Sequence, residues 1–404
     1  MNSYHYAFIL FFVVGFSVAQ INTDSGYLEQ LNITEDYVPT YDEVIAAGEA
    51  YFSDKNTNVR GSGYKPFKRW EYHWQQYVKP DGTIQTPKEF WDIWRAKNAR
   101  KLEKNTLVDQ SNWVSVGPIA HINTGSWSSG QGRTNTIMVD PNNPNTYYVG
   151  APAGGIWKST DAGLTWNPLS DFLPQIGVSA IAIDPTDSDV IYIGTGDDDA
   201  GDSFSVGLLK STDGGLTWNT TGLTFNSGNA RISDVYLDPN DNNIIFVASN
   251  SGLYKSIDAG TTFNLMFTGN VKDLKLRPGS SDTLFIATPS QIHRSFNGGL
   301  SFTQLSGMPS NAGRIVLAVT PANPNFIYAL VASSGTWAFE GLFRSTNNGN
   351  FFSKMDDGTD IFESPQAWFD LALAVSPIDP NEIYTGCLNV WKSTNAGQSF
   401  TKLN

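Results

Sequence analysis

Ser211-Thr212-Asp213-Gly214-Gly215-Leu216-Thr217-Trp218 is one of six related octapeptides in this 404-residue chain. The shared pattern is Ser, an acid or amide two residues on, a Gly two residues later, and a closing aromatic. Copies start at Ser159, Ser211, Ser256, Ser295, Ser345 and Ser393, so successive starts lie 52, 45, 39, 50 and 48 residues apart. A period in that range marks a repeat architecture, one supersecondary unit per copy.

Each copy sits between two short strand-like runs, as Gly155-Ile156-Trp157-Lys158-Ser159 and Thr165-Trp166-Asn167 flank the first. The residues between are turn-formers. An Asp or Asn side chain accepts a hydrogen bond from backbone two residues on, and Gly takes positive φ without a Cβ clash. The closing ring is Trp166, Trp218, Phe263, Phe302, Phe352 or Phe400. Full burial of such a ring removes roughly 150–250 Å² from water, about 4–6 kcal/mol gross before ordering costs. The motif reads as a hairpin staple. Six catalytic or metal-binding aspartates are the rival reading, and the copies argue against it. Asp161, Asp213 and Asp258 are replaced by Asn297, Asn347 and Asn395 in the last three. A turn acceptor survives that exchange; a general acid or nucleophile does not.

On these residues the chain resembles the Asp-box, or bacterial neuraminidase, repeat. That repeat occurs in sialidases, xyloglucanase-like glycosidases, the sortilin luminal domain and many secreted bacterial propellers of unassigned role. The resemblance covers about residues 112–404. It implies an all-β, multi-bladed β-propeller, and says less about activity, because one fold hosts many functions.

Working outward from one copy writes the whole unit. Arg133 to Asp140 alternates like a strand, Pro141 to Asn145 is a turn, Thr146 to Gly150 is a second strand, Gly155 to Ser159 a third and Thr165 to Leu169 a fourth. Four antiparallel strands per period make one propeller blade. Six units follow, at 133–170, 177–222, 231–269, 270–306, 313–355 and 369–404. Asn112-Trp113-Val114-Ser115-Val116-Gly117-Pro118 resembles a fourth strand without its preceding three. Propellers often close by letting an N-terminal strand complete the last blade. The last unit already has its own fourth strand, so the expectation is a fragment of a longer protein with seven or more blades.

Upstream, Ala7 to Phe16 is an apolar run too short to span a bilayer, and Ser17-Val18-Ala19 is a small-residue cleavage site. Residues 1–19 therefore read as a secretory signal, although the usual Lys or Arg near the start is absent. Residues 20–111 read as a helical N-terminal extension. Tyr41 to Phe52 and Glu89 to Lys104 carry helical spacing, and Trp70, Tyr72, His73, Trp74 and Tyr77 crowd the stretch between. Those rings are expected to pack on the propeller, with an aromatic sugar-binding platform as the sharper alternative. Net charge is −13, which makes nucleic acid and anionic membranes poor partners. The single cysteine, Cys387, forms no internal disulfide and reads as a buried, inert thiol.

Chemistry is sought where the repeat breaks. The most irregular loop is Gly194 to Ser203, with Asp197, Asp198, Asp199 and Asp202. Four carboxylates within six residues are enough to wrap a hard cation such as calcium, which takes six to eight oxygens. The spacing is not that of a helix–loop–helix calcium site, which weighs towards a solvated acidic loop. Arg133 and Arg231 stand seven residues before Asp140 and Asp238, and Arg314 falls one residue out of step. Three arginines around an axis suit an anionic sugar carboxylate. Sialidases, by the resemblance, use such a triad, but this chain lacks their Arg-Ile-Pro segment, having Arg231-Ile232-Ser233 and Arg314-Ile315-Val316. Pairing of these arginines with neighbouring carboxylates is the plainer reading. Xyloglucanase-like enzymes have a catalytic carboxylate in a first-blade Thr-Asp-x-Gly-Gly segment. Here the matching stretch is Ala151-Pro152-Ala153-Gly154-Gly155, whereas glycoside hydrolysis normally needs two flanking carboxylates. The expectation is a secreted protein that binds an extracellular polysaccharide or protein through channel-facing loops, with a glycoside hydrolase as the alternative. The resemblance extends to propellers of polymer-degrading Bacteroidetes-type bacteria, which implies a secretion-sorting domain beyond Asn404.

Overall fold

The computed structural model describes residues 31, 39–59, 62–104, 132–174, 177–199, 201, 203–225, 230–280 and 282–403. The signal segment, the strand-like stretch 112–118 and Asp202 lie outside these residues. Two compact units divide the chain, with the boundary in the N-terminal part falling between Ile93 and Trp94.

The first unit is helical. Helix α1 (Tyr41–Phe52) starts at a capping box: the Glu43 amide donates to Thr40 Oγ1 at 3.3 Å, and the Thr40 amide donates to Glu43 Oε2 at 2.7 Å. Helix α2 (Tyr64–Trp74) carries the aromatic cluster, and α3 runs Pro87–Lys104. Val44, Phe52, Phe67, Trp70, Trp74 and Ile84 form a buried core, with Tyr41 stacked on Trp70 at 5.7 Å. The rings thus meet one another. Gly48 is required inside α1, because a Cβ there would lie 2.2 Å from the Phe67 ring. Tyr72 stays exposed.

The second unit is a six-bladed β-propeller of four-stranded antiparallel sheets, each in simple sequential strand order. The first strands are Thr136–Asp140, Val178–Asp184, Ile232–Leu237, Asp273–Leu276, Ala312–Val319 and Ala372–Val375. The second are Asn143–Ala151, Asp187–Thr195, Ile245–Ser249, Leu284–Ala287, Ile327–Ser333 and Ile383–Gly386. The third, each ending at a motif Ser, are Gly155–Ser159, Gly207–Ser211, Gly252–Ser256, Ile292–Ser295, Phe339–Ser345 and Val390–Ser393. The outermost strand is short in four blades, two residues at Asn167–Pro168, Thr303–Gln304, Ser353–Lys354 and Thr401–Lys402. The longer fourth strand expected at Thr165 to Leu169 is cut short by the turn bonds that hold Thr165. In blade 1 the expected five-residue turn is also tighter, since Asp140 pairs with Asn143.

The core lies between blades. Ala180, Ala182 and Tyr192 of blade 2 meet Val235, Ile245 and Val247 of blade 3. The same stacking joins blade 3 to 4, 4 to 5, and 5 to 6. First strands of consecutive blades touch all the way from blade 1 to blade 6.

The six turns show why the motif tolerates Asp and Asn. In the first copy, Asp161 Oδ1 accepts the Ser159 hydroxyl at 2.7 Å and the Thr165 amide at 2.8 Å, and Oδ2 accepts the Thr165 hydroxyl at 2.6 Å. The Gly163 amide donates back to Ser159 Oγ at 2.8 Å. In the fourth copy Asn297 keeps both Oδ1 bonds, and its Nδ2 donates to Ser301 Oγ at 2.8 Å. Only the direction of the last bond changes. The residue before each Gly is left-handed as well, at φ 59° for Ala162, 54° for Ala259 and 63° for Ala396. The closing rings divide: Trp218 and Phe352 are buried, and the other four are half-buried. Their gain is accordingly below the full-burial figure.

Candidate functional site

The loop that breaks the repeat follows the second strand of blade 2. Gly196, at φ 102°, turns the chain, and its amide donates to Gly177 O at 3.0 Å. The Asp197 amide then donates to Ser203 O at 3.0 Å, closing the loop on itself. The Ser203 hydroxyl donates to Pro152 O. Pro152, the blade 1 residue at the position of the resembled enzymes' carboxylate, therefore lies alongside the acidic loop.

The acidic loop and the arginine set meet at one end of the central channel. Arg133 Nη2 donates to Asp197 Oδ2 at 2.5 Å, and Asn135 Nδ2 to Asp197 Oδ1 at 3.1 Å. Asp197 is fully buried. Lys272, in front of blade 4, donates to both Asp198 Oδ2 and Asp198 O at 3.0 Å. Arg314 pairs with Asp199 Oδ1 at 2.8 Å and donates to Trp368 O at 2.5 Å. Each described carboxylate of the loop turns to a different cation from a different blade. Among the described residues, no group of three or more His, Cys, Asp or Glu is arranged to hold a metal ion.

Arg231 differs from the other two arginines. Its guanidinium lies against the loop backbone, 2.7 Å from where a Cβ on Gly201 would stand. Among the described residues it has no carboxylate within ion-pair distance. Trp368, 41% exposed, and Phe369 stand at the same end, brought there by the Arg314 bond and by Arg133 over the Phe369 ring at 5.9 Å. All six blades thus contribute to this mouth.

A cavity of about 190 Å³ opens here, lined among others by Asn135, Asp198, Asp199, Lys272 and Arg314. Two buried oxygens on it, Asp198 Oδ1 and Asn135 Oδ1, have no hydrogen-bond partner among the described residues. Buried acceptors left this way cost about 1–3 kcal/mol each unless a donor arrives. The inner strands of blades 1, 2 and 3 line a larger cavity of about 540 Å³, within the usual size of ligand pockets, roughly 300–1,000 Å³.

Burial dominates the ionisation of this region. It pushes the Asp199 carboxyl up, against the pull of Arg314. Deeper in, Lys275 pairs with Asp234 Oδ2 at 3.1 Å and with Asp273, whose other oxygen accepts the Leu317 amide at 2.6 Å. Burial raises Asp234 to about 6, against the attraction of Lys275. Burial by itself would lower the Lys275 ammonium, but Asp234 and Asp273 hold it well above its ordinary value. Sequence reading missed Asn135, Asp234, Lys272, Asp273 and Lys275. The available signal was charge on inner strands that otherwise alternate apolar residues, Asp234 between Ile232 and Val235 being the plainest case. Cys387 donates its thiol to Asp370 at 3.1 Å, and burial with that carboxylate pushes it up to about 12.

The fold and site define a β-propeller whose channel mouth is a buried charge network edged by an exposed tryptophan. No family model matches the chain. It is 30% identical over 190 residues to a xyloglucanase of Paenibacillus sp, covering 43% of this chain and 18% of that protein. It is 31% identical over 141 residues to xyloglucanase Xgh74A of Acetivibrio thermocellus, covering 32% of this chain and 17% of that one. The match thus spans under a fifth of these relatives' length. Among solved structures, the GH74 xyloglucanase from Xanthomonas campestris superposes with TM-score 0.55 at 18% identity, covering 68% of this chain and 45% of the other. The Niastella koreensis GH74 enzyme gives 0.54 at 20% identity, covering 67% and 45%. At these identities the structural likeness establishes the fold. No helix among the described residues is long and apolar enough to cross a membrane.

Proposed function

We propose that this chain is a secreted propeller of the Asp-box type that binds a plant-type β-glucan such as xyloglucan at the channel mouth. The observation that carries this reading is the pair of buried acceptors without a partner among the described residues, Asp198 Oδ1 and Asn135 Oδ1, on one cavity. Neutral sugar hydroxyls are donors of the kind these oxygens lack. The exposed Trp368 ring supplies an apolar platform for a pyranose face, and Arg231 a further donor. The xyloglucanase names of the relatives support this choice of substrate class. Export through residues 1–19, with cleavage after Ala19, fits an extracellular polymer.

Affinity electrophoresis against xyloglucan, mixed-linkage glucan, xylan and mannan tests the reading. Xyloglucan retards the wild-type chain, and Trp368→Ala, Arg231→Ala and Asn135→Ala each weaken retardation while leaving the thermal transition cooperative. A folded chain that no glucan retards sinks the proposal.

Hydrolysis is the second reading, favoured by the same relatives. It rests here on Asp199 and Asp234, both pushed upward by burial, the direction a proton-donating carboxyl needs. Release of new reducing ends, lost in Asp234→Asn while binding persists, separates it from binding alone.

A further inference from the structure

Each blade carries a Tyr or Phe on its second strand, paired in register with a Lys or Arg on its third. The pairs are Tyr148 with Lys158, Tyr192 with Lys210, Phe246 with Lys255, Phe285 with Arg294, Tyr328 with Arg344 and Tyr384 with Lys392. The basic residue immediately precedes the motif Ser. In blades 2, 3 and 4 it reaches out of its own blade to the turn of the next. Lys210 donates to Ala259 O at 3.3 Å, Lys255 to Gly298 O at 2.9 Å, and Arg294 to Asn348 O. The Tyr192 hydroxyl does likewise, donating to Ala259 O at 3.1 Å, and that of Tyr328 crosses to the turn between the first two strands of blade 6, donating to Pro380 O at 2.8 Å. The turn that staples blade 3, 4 or 5 is thus also the acceptor for the blade before it. The first five rings of this series are fully buried by the neighbour they face.

The sixth pair has the same chemistry and a different outcome. Tyr384 is half-exposed, and its hydroxyl donates to Glu382 of its own blade at 2.7 Å. Lys392 pairs with the same Glu382 at 3.2 Å. On the same face Ala372 and Ala374 are both exposed, whereas Ala182 and Ala318, at the position of Ala374 in blades 2 and 5, are buried.

Blade 1 shows the complement. Its face turned away from blade 2 carries Ile137, Val139, Tyr147, Val149 and Trp157, which register together across three strands. Ile137 is 63% exposed and Val139 46%. The residues at the position of Ile137 in blades 2 to 5, namely Ile181, Val235, Leu274 and Leu317, are all buried. The two open faces front the same gap, since Arg133 at the entrance of blade 1 reaches the Phe369 ring at the entrance of blade 6. Among the described residues nothing fills this junction, and the ring they form is open there.

We propose that the junction between blade 6 and blade 1 is the docking slot for one further four-stranded blade of the same repeat. Its incoming face is apolar and covers Ala372 and Ala374. Its turn is a Ser-x-Asp/Asn-x-Gly turn that presents a backbone carbonyl to Lys392 and Tyr384, drawing both away from Glu382. Its outgoing face covers Ile137 and Val139. The slot has two walls, so its occupant must offer both faces on one sheet. A second copy of the chain does not: each of its open faces is backed by the rest of a propeller. The five complete junctions in this molecule are the template for both contacts.

Carbene footprinting with peptide mass spectrometry tests this on the 404-residue chain and on versions with a blade appended after Asn404 through a short flexible linker. Two blades are appended separately, a copy of residues 177–222 and a copy of 313–355, with a scrambled sequence of equal composition as control. Ile137, Val139 and Tyr384 label strongly in the chain by itself at all concentrations. Either genuine blade reduces that labelling several-fold and raises the unfolding temperature, and the scrambled segment does neither. Val139→Arg, at an exposed site, leaves the 404-residue chain as stable as before but abolishes protection by the appended blade. Three results overturn the proposal. They are full labelling with both genuine blades attached, protection already present in the monomeric 404-residue chain, and protection that appears only as protein concentration rises, which would make a second copy the occupant.

Discussion

Two sets of aspartates sit in this propeller, and their environments run in opposite directions. Those of the repeated turns, Asp161, Asp213 and Asp258, lie at the surface and accept hydrogen bonds from Thr and Ser hydroxyls and backbone amides. Those bonds hold Asp161 and Asp258 down to about 2. Those of the channel, Asp197, Asp199 and Asp234, are set against cations in the interior, and burial raises Asp199 and Asp234. The turn set is tied to neighbours within four residues, so it specifies local geometry and nothing else. The channel set is tied to partners on other blades, so it exists only once the ring has formed. Repetition marks the scaffold, and departure from repetition marks the candidate site.

The largest test of that contrast is Asp197→Ala. It removes a fully buried carboxylate and leaves the Arg133 guanidinium, 22% exposed, facing a cavity. Breaking a buried pair from one side costs about 3–5 kcal/mol, and the partial exposure of Arg133 puts this case near the lower end. Urea unfolding should show the loss, and the Arg133→Ala, Asp197→Ala double variant should recover part of it. A single variant as stable as wild type would mean the network carries no structural load.

Ser211→Ala comes next. Ser211 is fully buried and bonds Asp213 and the Gly215 amide at 2.7 and 2.9 Å. Leaving that amide unsatisfied is expected to cost about 1–3 kcal/mol. Because this turn also packs against Lys158 of the previous blade, which lies close to Gly214, the loss should appear as one cooperative transition. Local fraying of the turn by itself, read by hydrogen exchange, would contradict this.

The fold was legible because its determinants are local and periodic. Each turn uses residues within four positions of one another, and the copies expose what is exchangeable, as Asp258 and Asn297 do. The site was legible only as ingredients. Arg133 and Asp197 are 64 residues apart, and Lys272 and Asp198 are 74. Nothing short-range encodes that these meet, since the pairing follows from blade order and ring radius. The Lys or Arg before each motif Ser was in view as well. Its role needs the neighbouring blade's carbonyl, which no single repeat contains. Ala162 and Ala259 in left-handed backbone were likewise hidden, because sequence places that conformation on the following Gly.

pH separates the two sets by sign. A carboxyl whose folded value lies above its ordinary 3.8 binds its proton more tightly when folded. Asp234, at about 6, therefore contributes stability that falls as pH rises from about 4 to about 6. Asp161 and Asp258, at about 2, contribute stability that is full above the ordinary value and is lost as pH falls towards 2. Carboxyl carbon shifts followed by NMR should show Asp234 titrating well after the turn aspartates. Asp234→Asn should flatten the stability profile between pH 4 and 6 and leave the acid limb unchanged.

Asp213→Asn is the smallest expected effect and the cleanest separation of scaffold from site. The exchange recreates what the last three blades carry. The introduced amide's oxygen would keep the Ser211 hydroxyl and the Thr217 amide, and its nitrogen would donate to the Thr217 hydroxyl that now donates to Asp213 at 2.6 Å. One bond reverses direction and none is lost, so unfolding should move by no more than about 0.5 kcal/mol, as for an ordinary surface substitution. Glycan retardation should be unchanged. Asp199→Asn offers the same chemical change at the mouth, where no repeated copy ever uses an amide. There the Arg314 pair loses its charge, and retardation should change with it. If both substitutions were silent, or both disruptive, the division between turn and channel aspartates would fail.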